Sequence, residues 1–64
     1  MIGTILNHYR YFFFEIEVDG HRTLGALSSP LIVQHGQHCD AAFKPGDKVC
    51  LVAGHGYPSI VGPA

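Results

Sequence analysis

From Tyr11 to Val18 the chain alternates, and the run ends at Asp19-Gly20. On an extended segment Phe12, Phe14, Ile16 and Val18 share one face, and Tyr11, Phe13, Glu15 and Glu17 share the other. Successive strand side chains point to opposite sides, so this period of two predicts a half-buried strand. Its first face is core, and its second is wet near the turn. Asp-Gly suits a two-residue reversal in which both central positions take positive φ. A symmetric turn there sets Glu17 opposite Arg22, a cross-strand ion pair. It sets Phe14 opposite Gly25, where a missing side chain leaves room for a ring.

Other segments read the same way. Ile2–His8 is expected as the first strand. Lys44-Pro45-Gly46-Asp47 is a tight turn with proline preset for the second position and glycine for the third. Lys48–Ala53 carries Val49 and Leu51 on one face, Cys50 and Val52 on the other. A strand apolar on both faces is either central or covered outside by another subunit. Gly54–Pro58 is a loop, and Ser59–Val61 a short last strand. Ser28–Ala42 admits two readings. Ser29 could cap a short helix with Pro30 at its first position and Gly36 as its stop; alternatively Leu31–Gln34 is a strand. Together these features predict an all-β fold, a small five-stranded barrel forming one domain over residues 1–64. It has room for one helical turn between strands 3 and 4.

The order of features resembles the OB-fold superfamily. Gly3-Thr4-Ile5 opens the first strand, a long aromatic strand ends at Asp19-Gly20, and Phe43-Lys44-Pro45-Gly46-Asp47-Lys48-Val49 is similar to the turn and strand after the middle connection of such barrels. Cold-shock domains share this layout, and the small oxyanion-binding domains of molybdate-type transporters share the Gly-Thr start and the Lys-Pro-Gly-Asp turn. The resemblance implies an OB-like barrel. The cold-shock likeness would imply base stacking, but the sequence departs from it where that function resides. Arg10-Tyr11-Phe12-Phe13-Phe14 lacks the family's glycines, and Arg22–Leu27 has no aromatic residue.

A domain this short buries only about 60% of its unfolded surface, so its core is thin and some additional staple is expected. Hydrophobic residues make up 47% of the chain and charged ones 14%, against about 25% charged in an average soluble domain. That imbalance points to a homo-oligomer, with Tyr11, Phe13, Cys50 and Val52 as interface candidates. The net charge is −1, and Arg10, Arg22, Lys44 and Lys48 are scattered, too few to neutralise the phosphates of duplex DNA. Cys39 and Cys50 without a secretion signal read as free thiols, and a cytoplasmic location is expected. The apolar runs Tyr11–Phe14 and Val49–Ala53 fall far short of the ~20 residues of a membrane span, so no membrane association is expected.

Three constellations could carry chemistry. Tyr9, Tyr11 and Phe13 with Arg10 among them form an aromatic ladder on an extended chain. Assisted by Lys48, such a ladder stacks single-stranded bases; its alternative use is burial under a neighbouring subunit. His35, His38 and Cys39, with Cys50 or His55, have ligand chemistry suited to zinc. Adjacent His38 and Cys39 rarely share an ion and no Cys-x-x-Cys pair is present, so the expectation is a solvated loop with no metal and no cofactor. Ser28 or Ser29 with a histidine and Asp40 lacks anything to assemble it, and Gly54-His55-Gly56 does not precede a helix. The expected function is that of a non-enzymatic binding module for a protein or small ligand, at subunit interfaces or the barrel mouth. The alternatives are single-stranded nucleic-acid binding and a small enzyme with a site shared between subunits.

Overall fold

The computed structural model describes all 64 residues, in the order β1 (Ile2–Arg10), β2 (Phe13–Val18), β3 (His21–Leu27), α1 (Ser29–His35), a 3-10 segment (Gly36–Ala41), β4 (Lys48–Val52) and β5 (Ser59–Pro63). The Asp19-Gly20 reversal forms with φ of 52° and 81°, positive at both positions as this turn requires. The register that follows pairs Glu17 with Arg22 and Phe14 with Gly25. Room at Gly25 is taken by Ile16 rather than by the Phe14 ring: a Cβ on Gly25 would stand 2.8 Å from Ile16 Cδ1.

Five strands close into a barrel in the order β1-β2-β3-β5-β4, with β4 returning to β1. Neighbours are antiparallel except β3 and β5, which run parallel and pair only at Ala26–Ser59 and Leu27–Ile60. Backbone bonds from Ala26 N–H to Pro58 C=O (3.0 Å) and from Ser28 N–H to Ile60 C=O (2.9 Å) complete that contact. This closure, with its helical insertion between β3 and β4, is compatible with an OB-like barrel.

Alternation builds the core. Phe14, Ile16, Val49 and Ile60 are fully enclosed, joined by Ile5, Leu27, Leu51 and Cys39. Each large side chain removed from water in this way contributes about 1.5–3 kcal/mol. Phe12 and Val18, on the same expected face, are only partly buried against that cluster.

Several boundaries differ from expectation. β1 continues to Arg10, two residues past His8, and β2 begins at Phe13 because the chain reverses at Tyr11-Phe12. Leu31–Gln34 is helical, and the cap is Ser28 rather than Ser29. Pro30 lies in the first turn, where its missing N–H costs nothing. Gly36 ends the helix at φ 56°, its N–H donating to Ile32 C=O. Leu31 and Ile32 from α1 and Phe43 beyond the 3-10 segment then pack on the core. The Lys44–Asp47 turn forms as expected, with Gly46 at φ 94° and Asp47 Oδ2 accepting from Lys44 N–H at 2.9 Å. Strand β4 ends at Val52 instead of Ala53, and β5 runs on to Pro63.

Candidate binding site

At the tip of the β1–β2 hairpin, Tyr11 adopts φ of 50°. A bulky residue in the left-handed region is an outlier, costing about 1–2 kcal/mol relative to ordinary backbone. Surrounding contacts hold it there. His8 Nε2 donates to Tyr11 C=O at 2.8 Å, and Leu27 N–H donates to Phe12 C=O at 2.9 Å. The Phe12 ring stacks on Phe13 with centroids 4.7 Å apart, and Tyr57 meets Phe13 edge-on at 5.3 Å.

This reversal breaks the expected ladder. Tyr9 is on β1, Tyr11 in the turn and Phe13 on β2, so their rings do not line one strand face. Tyr9 and Tyr11 are exposed and Phe13 is half-buried, while Arg10 lies over the Tyr9 ring at 5.2 Å. Lys48 stands apart from this group: it faces Thr4 across β1–β4 and bonds its hydroxyl at 2.7 Å.

Between the hairpin tip and the α1/3-10 segment lies a cavity of about 380 Å³ walled by His8, Tyr11, Phe12, Ile32, Cys39 and Asp40. That volume falls in the range of small-molecule sites, and its mixture of apolar walls with a few polar groups is typical of them. Tyr11 overhangs it from the strained turn, while Cys39, whose Sγ donates to Gly36 C=O at 3.2 Å, lines it from the 3-10 segment. A shallower hollow of about 290 Å³ lies beside Met1, Gly54, Tyr57 and Pro58.

No protein-family model matches the chain, and neither does any curated protein. The site therefore stands on its geometry. The residues singled out as metal ligands do not converge, since no group of three or more His, Cys, Asp or Glu side chains is placed to hold an ion. His35, His38 and Cys39 fall around a kink at His38. Ser28 and Ser29 lie at the start of α1, where Ser28 is the cap residue without a side-chain cap hydrogen bond. Both cysteines are free thiols, and no helix is long and apolar enough to cross a membrane. His8, Ile32 and Phe12 were not foreseen as cavity residues. The one legible signal was His8 standing three residues before Tyr11, the spacing its hydrogen bond uses.

The remaining interface candidates lie on a second surface. Cys50 and Val52 project from β4, with Ile2 beside Cys50 on β1 and Val61 on β5. Ile2, Val52 and Val61 are 53%, 49% and 43% exposed, and residues 49–64 contain no Asp, Glu, Lys or Arg. The total accessible surface is 4166 Å², close to the roughly 4,000 Å² expected of a monomer of this mass. The apolar excess of the composition thus appears in which side chains face outward, not in an open shape.

Proposed function

We propose that this protein is a non-enzymatic binding module, a barrel of the OB type that takes a small ligand at its hairpin end and self-associates through an apolar patch on β1, β4 and β5. The OB reading is supported by the strand order, the two-residue parallel closure and the helix between β3 and β4. The observation that carries the ligand reading is the cavity beneath Tyr11. Strained backbone persists where its surroundings over-determine it, and such positions cluster at ligand sites. Here the strain and the cavity coincide at one residue. Titrating a fragment mixture while following amide resonances tests this: the Tyr11, Phe12, Gly36 and Asp40 signals should move together. If no fragment moves them at about 1 mM, a concentration suited to ligands of this size, the reading is wrong.

Self-association rests on the uncharged patch of Ile2, Cys50, Val52 and Val61, with Tyr11 and Phe13 as a second contact. Light scattering after size exclusion checks it, and a 7.0 kDa particle at micromolar concentration would overturn it. The free thiols fit a reducing, cytoplasmic setting.

A second reading follows from Tyr9, Arg10 and Tyr11, which are exposed near one hairpin tip and could stack single-stranded bases. The aromatic residues favour it, whereas the distant Lys48 and the overall negative charge argue against it. Fluorescence titration with mixed oligonucleotides at low salt decides, because low salt favours every phosphate contact.

A further inference from the structure

We infer that the hairpin-end cavity selects small organic cations with a flat apolar body, such as aryl amidinium or arylalkyl ammonium groups. The inference deepens the ligand reading above and rests on it. Asp40 is the only Asp, Glu, Lys or Arg side chain among the cavity walls. Two of the side-chain donors there are already engaged, which leaves the Gln37 amide and the Tyr11 hydroxyl free. The His8 Nε2 hydrogen lies on the Tyr11 carbonyl, and the Cys39 thiol hydrogen on the Gly36 carbonyl. The one formal charge of the wall is therefore negative, and the donors left free there, on Gln37 and Tyr11, are neutral.

The apolar part of the wall has the same preference. Tyr11 and Phe12 present aromatic rings, whose negative faces attract cations and repel carboxylates. Ile32 closes the opposite side. A flat ring would contact Phe12 and Ile32 while its charged end met Asp40 and Tyr11. The basic residue closest in sequence, Arg10, stacks on Tyr9 and takes no part in the lining.

Three probes of nearly equal shape separate charge from shape: benzamidinium, benzamide and benzoate. Each is titrated into the full chain while amide resonances and the alkylation rate of Cys39 are followed. Benzamidinium is expected to move the Tyr11, Phe12 and Asp40 amides with a Kd on the order of 1 mM, fitting its small size. It should also slow Cys39 alkylation and leave Cys50 unaffected. Benzamide should bind about fivefold more weakly, and benzoate not measurably, as expected for one partly exposed charge contact. Asp40→Asn should remove the preference for benzamidinium over benzamide. Asp19→Asn, the same charge change in the turn at the opposite end of β2, should leave it intact. Equal binding of all three probes would overturn the cation inference while sparing the ligand site. Binding of none would remove both.

Discussion

The molecule makes two hairpins from β2, and they reverse the chain by different means. At Asp19-Gly20 the two turn residues themselves prefer positive φ, so the reversal is written locally. At Tyr11-Phe12 neither residue prefers it, and Tyr11 sits at φ 50° because His8, Leu27 and the Phe13–Tyr57 pair hold its neighbours in place. The first turn is favoured by its own two residues, while the second also draws on Leu27 and Tyr57 from elsewhere in the barrel. A turn that costs local energy is tolerated where it shapes something, and the cavity lies beneath this one alone.

Changes at four positions probe that contrast. Phe14→Ala should have the largest effect, because Phe14 faces His8 in one hairpin and Gly25 in the other. A loss of about 3–5 kcal/mol is expected in denaturant unfolding, with both hairpins affected. Gly20→Val puts a branched side chain at φ 81° and should cost about 2 kcal/mol. A neutral result would mean that the β2–β3 turn, too, is held by tertiary contacts. His8→Ala removes the donor to Tyr11 C=O and should cost about 1 kcal/mol. Amide shifts should be confined to the β1–β2 tip and the cavity, and their spread to residues 18–22 would show that the two turns are coupled. Tyr11→Asn should act in the opposite direction. The side chain is 75% exposed and asparagine tolerates the left-handed region, so stability should rise by up to about 1 kcal/mol. A higher thermal midpoint with weaker benzamidinium binding would show the strain serving the site; a lower midpoint would show that the turn is not strained.

The same contrast explains what was legible. The β2–β3 register could be derived because alternation and Asp-Gly act over neighbouring residues, and the Lys44–Asp47 turn for the same reason. Tyr11-Phe12 reads as strand in the sequence because every local preference of four consecutive aromatics is for extended chain. The contacts that bend it come from Leu27 and Tyr57, distant in sequence. That one reversal separated Tyr9 and Tyr11 from Phe13 and produced a cavity no spacing could announce. In Ile32-Val33, poor intrinsic helix propensity was overridden by Pro30, Gly36 and the packing of Leu31 and Ile32 on the core. Only its charge links Lys48 to the aromatics, and pairing with Thr4 places it elsewhere.

The short parallel ladder between β3 and β5 gives the ring a seam. Parting Ala26–Ser59 and Leu27–Ile60 would leave an uncurled sheet in the order β3-β2-β1-β4-β5, with every antiparallel ladder intact. Breathing of the native state is thereby directed to one line, where few bonds must break. The Ala26 and Ser28 amides, whose hydrogens cross that line, would trade with deuterium ahead of those inside the β1–β2 and β2–β3 ladders.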